Sequence, residues 1–405
     1  MDKMELRGTY TEYLPSYTVG IDAYQAVPHV TRYYGTKAVV IGGETAMSKA
    51  KDRLLAAIEG SPLTITDWIC YGKQATHKRA HELAAMDQVK DADMIFAVGG
   101  RRAIDTSKEV ATLVDKPCFT FPTLASNCAP VTRICVLYHE DGSADQYIIP
   151  QEPPIHSFLD TQIIVESPDE YFWAGVGDAF SKGAEVELST RDVDVVHSPL
   201  MGRALAGQQS CIDPLLEYGA QAIADKHEHK PTDAFERVVM NIIVTAGLIS
   251  NMTTNLGAER CPYYFNSSTA HAFYNGYTFL GEKAERHLHG EIVSLGVCVL
   301  YAFDANPEML AKQVVANSRV GLPTKLADVE CEVEDLDRLI EGAQTTNEWG
   351  RAPYGYSVKR FRQAILDADA YGRAFAENDA AGMEAALQAV RDHAVTDADR
   401  MPRKL

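Results

Sequence analysis

Lys37-Ala-Val-Val-Ile-Gly-Gly43 and Asp93-Met-Ile-Phe-Ala-Val-Gly-Gly100 decide the fold. Each is a short apolar run that breaks on paired glycines and opens into a helical pattern, as a buried parallel strand does before a crossover helix. The alternation continues outward: a helix near 47–59, Leu63-Thr-Ile-Thr66, a helix near 75–89, a helix near 103–114 and Cys118-Phe-Thr-Phe-Pro-Thr123. Strand and helix in turn at this spacing predict a parallel sheet with helices on both faces. Such sheets bind ligands at the carboxyl ends of their strands. Gly42-Gly43 and Gly99-Gly100 can therefore offer backbone amides and a helix N-terminus to a phosphate. Neither is a full Gly-x-Gly-x-x-Gly fingerprint, so an ordinary Rossmann domain is not supported.

Residues 139–165 read as a hairpin and linker, with Glu140-Asp-Gly as the turn and Pro150-Gln-Glu-Pro-Pro154 as a break. Beyond about residue 167 long apolar helical patterns take over, for example 235–252 and 291–304, and 374–398 reads as one or two surface helices. The expectation is an α/β domain over 1–165 and an all-α domain over 166–405, with a cleft between them. A chain of 405 residues suits two cores better than one.

Composition narrows the function. A 46% hydrophobic, 23% charged chain is ordinary globular protein, and no run approaches the ~20 apolar residues of a membrane span. The formal charge of −18, with 38 basic residues that form no long block, argues against a nucleic-acid partner. Met1-Asp-Lys-Met-Glu-Leu-Arg7 lacks the apolar segment of a secretory signal, so the expected location is cytoplasmic. Eight cysteines without a Cys-x-x-Cys pair read as buried free thiols.

Three residues in glycine-flanked segments carry metal-ligand chemistry: Asp178 in Gly175-Val-Gly-Asp-Ala-Phe180, His271 in Ala270-His-Ala-Phe-Tyr-Asn-Gly276, and His289 in His287-Leu-His-Gly-Glu291. One carboxylate and two imidazoles leave a position open on a divalent cation, as a catalytic metal requires. Taken singly, Asp178 suits a helix N-cap, His271 a satisfied core histidine, and His289 a charge partner at a helix C-terminus. His287 competes for the role of His289. His227 and His229 offer a second pair, or a solvated loop in Lys226-His-Glu-His-Lys230.

Six segments together resemble the iron-containing (group III) alcohol dehydrogenase family, in its glycerol dehydrogenase-like and hydroxycarboxylate dehydrogenase-like branch. They are Gly99-Gly-Arg-Arg-Ala-Ile-Asp-Thr-Ser-Lys108, Pro122-Thr-Leu-Ala-Ser-Asn-Cys-Ala-Pro130, Ala174-Gly-Val-Gly-Asp-Ala179, Ala270-His-Ala-Phe-Tyr-Asn-Gly276, His289-Gly-Glu291 and Gly321-Leu-Pro323. The resemblance implies a dehydroquinate synthase-like fold, an NAD(P)-binding first domain and a helical metal-binding second domain. It implies reversible hydride transfer between NAD or NADP and a small alcohol, one zinc or iron ion on Asp178, His271 and His289, and a homo-oligomer. By the same matching, the cofactor's pyrophosphate lies at Gly99, Gly100 and the following helix, where Asp105 and Lys108 hold family positions. Thr123, Ser126, Thr132, Ile134, Val136 and Tyr138 match the nicotinamide and ribose lining.

Four departures shape the expected chemistry. Arg101 replaces a third glycine, so the backbone approaches phosphate differently or the guanidinium itself binds it, unless the side chain obstructs the cofactor or is a solvated loop residue. Gly43 stands where NAD-preferring members carry an acidic residue; with only Glu44 beside it, the balance leans to NADP(H). Cys128 replaces the aspartate that contacts the polyol in glycerol dehydrogenases, which favours a 2-hydroxy or 2-oxo acid over a vicinal diol. Tyr274 replaces the second histidine of the family's His-Ala-x-His-Asn-Gly; it can donate a hydrogen bond but is a poor base near pH 7. A glycerol or diol dehydrogenase is the alternative, followed by a dehydroquinate synthase-like lyase or an inactive relative.

Overall fold

The computed structural model describes residues 2–3, 11–139, 144–150, 152–255, 263–396 and 401–404. Its first half is built on six parallel strands: β1 (Ser16–Gly20), β2 (Lys37–Gly42), β3 (Thr64–Cys70), β4 (Met94–Gly99), β5 (Cys118–Pro122) and β6 (His156–Asp160). They lie in the order β1-β6-β5-β4-β2-β3. The chain runs from β2 outward to β3 and returns on the other side to β4, so the order reverses between β2 and β4. Gly42 pairs with Val98 across that boundary. Both paired glycines thus end adjacent strands at the reversal point, where open α/β sheets bind their ligands.

Both faces of the sheet are covered, which explains why the strands read as continuous apolar runs. Val40, Phe96, Val98 and Phe121 point to one side, against Met47, Ala50 and Leu54 of helix α1 (Glu44–Ile58). Val39, Ile41, Ile95 and Ala97 point to the other, against Ile104 and Val110 of helix α2 (Arg101–Leu113) and Ala80 and Leu83 of the helix His77–Ala84. Helix starts fall earlier than 47 and 103 because each begins directly after its glycine pair, with Gly43 and Gly100 as N-caps. The single helix expected over 75–89 is two, His77–Ala84 and Asp87–Asp91, split by an extended Met86.

The expected linker over 139–165 needs correcting. Residues 135–138 and 144–148 do pair as an antiparallel hairpin, and its Glu140-Asp-Gly turn lies outside the described residues. But His156–Asp160 is a sheet strand between β1 and β5, fully buried along its length. His-Ser-Phe-Leu-Asp carries no strand signal of its own; two parallel neighbours decide it.

After Asp160 the chain is helical, apart from short strands at 193–194, 254–255 and 263–264. The segment expected as one helix over 235–252 is Asp233–Met240 and Ala246–Met252 joined by a π-turn at Asn241–Thr245. The helix near 291–304 is observed at His289–Phe303. Of the C-terminal tail, Ala380–Asp392 is a helix that buries Ala386 and Val390. Among the described residues no helix is long and apolar enough to cross a membrane.

Candidate active site

Three helices bring the metal-ligand candidates together: α3 (Asp169–Thr190), α4 (Thr269–Tyr277) and α5 (His289–Phe303). Glycine makes the crossings close enough. A Cβ on Gly290 would lie 1.8 Å from the Ala174 carbonyl oxygen, one on Gly177 2.3 Å from that of Gly290, and one on Gly296 2.5 Å from that of Ala270. A Cβ on Gly175 would meet the Ala125 carbonyl oxygen at 2.2 Å, so the loop after β5 also packs onto α3. The glycines flanking Asp178 and following His289 are therefore contact surfaces, and the ligand residues ride beside them.

Asp178, in the interior of α3 and not at an N-cap, places Oδ1 3.1 Å from His289 Nε2 and 3.7 Å from His271 Nε2. One ligand atom from each of the three lies within 4.8 Å of the others. Burial would raise the Asp178 pKa, but the His289 hydrogen bond and the charges of His289, Lys182 and His271 hold it well below the carboxylate range. His289 opens α5 and so stands at a helix N-terminus, not at the C-terminus its charge would have suited, and burial presses its pKa down against the pull of Asp178.

Glu185 is the functional residue that sequence reasoning passed over. It lies seven positions after Asp178, two helical turns along one face of α3; that spacing was the available signal. Fully buried, it accepts from His271 Nδ1 at 2.6 Å and from the backbone amides of His271 (2.9 Å) and Ser268 (2.8 Å). Burial lowers the His271 pKa, but the Glu185 charge and hydrogen bond outweigh it and raise it. With its Nδ1 proton directed to Glu185, His271 turns an Nε2 lone pair toward Asp178 and His289. A carboxylate behind a ligating histidine is the arrangement that fixes ring and tautomer in metal sites. The donor set fits a divalent cation.

The competing histidines are engaged elsewhere. His287 Nδ1 bonds Glu291 at 2.9 Å. His227 pairs with Asp169, and His229 bonds the Val165 carbonyl, so neither joins the cluster.

Tyr274 stands edge-on to the His289 ring, with centroids 4.2 Å apart, and burial raises its hydroxyl pKa. It is a donor at neutral pH, not a base. Arg101 turns onto Tyr138, hydrogen-bonding its hydroxyl and lying 5.7 Å from its ring centroid. Its charge reaches Tyr274 and His289, so it links the glycine-ended strands to the metal-ligand cluster.

The remaining sequence candidates lie at the ends of β2 and β4, on α2 and in the segment that follows β5. Asp105 is buried on α2, paired to Lys108 at 2.8 Å and accepting from the Val136 amide at 3.2 Å. Lys108 also donates to the carbonyls of Ala129, Thr132 and Ile134. The pair thus clamps the 129–136 segment onto α2. Thr123 closes β5 against the Gly99 carbonyl, Ser126 packs over Gly175, and Tyr138 bridges to Thr76. Gly99 has φ +140°, a conformation other residues rarely adopt; Gly43 is half-buried beside exposed Glu44.

Cys128 is 9% exposed, within the electrostatic reach of Lys182 and Asp178, and burial pushes its thiol pKa up to about 11. Among the described residues the other cysteines are free too, buried except for half-buried Cys70; Cys261 lies outside the described residues. Because the thiolate is the nucleophile, iodoacetamide at pH 7.5 is expected to leave Cys128 unmodified in folded protein and to label it fully after denaturation. Peptide mass spectrometry checks this; rapid labelling of the native site would contradict the burial argument.

Similarity to known proteins agrees with this geometry. Residues 15–161 match the family model described as iron-containing alcohol dehydrogenase. A glycerol dehydrogenase of Thermotoga maritima is 30% identical over 75% of this chain and 81% of its own. Hydroxycarboxylate dehydrogenase A of Escherichia coli is 29% identical over the same shares. The crystal structure of glycerol dehydrogenase from Schizosaccharomyces pombe superposes with a TM-score of 0.80 at 24% identity, covering 93% of this chain and 94% of that one. The sheet with its glycine-ended strands, the helical half and these relatives together place the chain in the iron-containing alcohol dehydrogenase family.

Proposed function

We propose that the chain is a metal-dependent NAD(P)(H) oxidoreductase that moves hydride reversibly between the nicotinamide and a small 2-hydroxy or 2-oxo acid. In this reading residues 1–165 bind the dinucleotide and 166–405 bind metal and substrate. The convergence of Asp178, His271 and His289 beside an uncharged Cys128 carries it. A zinc or ferrous ion on those three ligands would supply Lewis-acid stabilisation to the substrate's oxygen.

The chain's own groups supply the rest. Gly99, Gly100 and the N-terminus of α2 present amides to the pyrophosphate, and Arg101 adds a cation there. Thr123, Ser126, Thr132, Ile134, Val136 and Tyr138 line the nicotinamide and ribose, on a wall held by Asp105 and Lys108. Gly43 brings no carboxylate to the adenosine ribose, which favours NADP(H) over NAD(H). Tyr274 donates a hydrogen bond at the reacting oxygen. Cys128 leaves a substrate carboxylate unopposed, where an aspartate would repel it. The name of the E. coli relative supports the acid substrate; the name of the Thermotoga relative favours a second reading, polyol oxidation.

The test is oxidation of NADPH and NADH by metal-reconstituted protein, with a panel of 2-oxo acids set against dihydroxyacetone. Oxo acids are expected to turn over, faster with NADPH, with loss on chelation and recovery on adding zinc or ferrous iron. Turnover of dihydroxyacetone alone sinks the acid reading and restores the polyol one. Silence with every carbonyl moves the weight to a lyase or an inactive relative.

A further inference from the structure

Lys182 is a buried cation that the chemistry above leaves unassigned. It lies on α3 one turn beyond Asp178, 4% exposed, and its charge acts on Asp178, Glu185, His271 and Cys128. An ammonium carries three donor protons. Among the described residues Nζ has one hydrogen-bond partner, Asn266 Oδ1 at 3.0 Å, and no carboxylate within ion-pair distance. Holding an ammonium out of water with two protons unanswered is costly, so the arrangement calls for a partner that is not part of the chain.

Charge balance says which kind. The Asp178 and Glu185 carboxylates are matched by the Lys182 ammonium and by the Arg101 guanidinium, whose charge reaches His289, so a divalent cation on the ligand set leaves positive charge in excess. A monoanionic group reduces that excess; a neutral diol leaves it whole. The Cys128 thiol, protonated at neutral pH, adds no charge of its own.

We propose that Lys182 is the specificity-determining residue of the site: its ammonium, steadied by Asn266, binds the carboxylate of the 2-oxo or 2-hydroxy acid beside the metal ligands. This rests on the acid-substrate reading above and names the group that enforces it.

Pyruvate and hydroxyacetone, matched in carbon skeleton and differing in charge, separate the two claims. In the zinc-loaded protein with NADPH, Lys182→Met is expected to lower the pyruvate-to-hydroxyacetone ratio of kcat/KM roughly 30- to 100-fold. Lys182→Arg keeps the cation and is expected to retain most of the ratio. Calorimetric binding of pyruvate to the complex with oxidised cofactor, where no turnover occurs, should weaken in Lys182→Met by the same factor. A wild type that prefers pyruvate but keeps that ratio in Lys182→Met overturns the assignment of Lys182 and leaves the acid reading standing. A wild type that uses hydroxyacetone alone overturns the acid reading and the proposal with it. Loss of zinc from Lys182→Met would assign the ammonium to balancing Asp178 and Glu185, and also overturns the proposal.

Discussion

An Asp178→Ala protein is expected to fold, to retain no stoichiometric zinc or iron, and to lose turnover by roughly three orders of magnitude, equivalent to several kcal/mol of transition-state stabilisation. Alanine suits the helix interior that Asp178 occupies, so circular dichroism should change little while metal content collapses. Glu185→Gln grades the same effect from behind the ligands. Glu185 accepts from His271 Nδ1 and two backbone amides. A glutamine has one acceptor oxygen for those three donors, and its NH2 would face a donor. If the oxygen stays with the backbone, His271 moves its proton to Nε2 and loses the lone pair aimed at the metal. A fall of about 10- to 100-fold in metal affinity is expected. Equal zinc affinity in wild type and Glu185→Gln would sink the tautomer argument, and full metal content in Asp178→Ala would sink the ligand assignment.

Gly290→Ala should damage the site without replacing any ligand. The new Cβ would sit 1.8 Å from the Ala174 carbonyl oxygen, 2.7 Å from its carbon and 3.0 Å from the Asp178 amide nitrogen, all backbone atoms of α3. No rotamer relieves a backbone clash, so α3 and α5 must separate. Asp178 and His289 then move apart, because each lies beside the contact. Overpacking of this kind costs about 1–3 kcal/mol or more, and metal binding, which needs its ligands near ideal distance, should fall further than stability. Gly219→Ala is the control: its Cβ would meet Val176 and Val320 at an ordinary 3.8 Å, and in a helix it is expected to be neutral or stabilising by up to about 1 kcal/mol. A Gly290→Ala protein with normal melting temperature and zinc content would show that the crossing is not what assembles the site.

The strands that feed the glycine pairs were legible because their signals are local. Lys37–Gly42 and Met94–Gly99 each carry apolar residues for both sheet faces and a glycine stop, whatever else the chain does. His156–Asp160 was not legible, since its strand character comes from the neighbours on either side. The broken helix at Met86 and the π-turn at Asn241–Thr245 are likewise settled by packing. In the site, Asp178, His271 and His289 were found through family motifs, and Tyr274, Arg101 and Cys128 through departures from them. Glu185 carried only a seven-residue spacing, which is common on any buried helix face.

Strand and helix alternation and the two glycine-ended strands follow from the residues alone, because they depend on backbone preference and apolar period within a few residues, whereas the ligand-bearing segments stood out only through their likeness to family motifs. The tertiary structure alone decided which side chains became chemistry. Asp178 and His289 are 111 positions apart, and only the glycine-mediated crossing of α3 and α5 makes them neighbours. The same crossing helps to bury α3 from Ala174 to Val186, and burial turns Glu185 from an ordinary surface acid into the orienter of His271. It also makes Lys182 an ammonium short of partners, since a charge costs little in water and demands an answer where water is excluded.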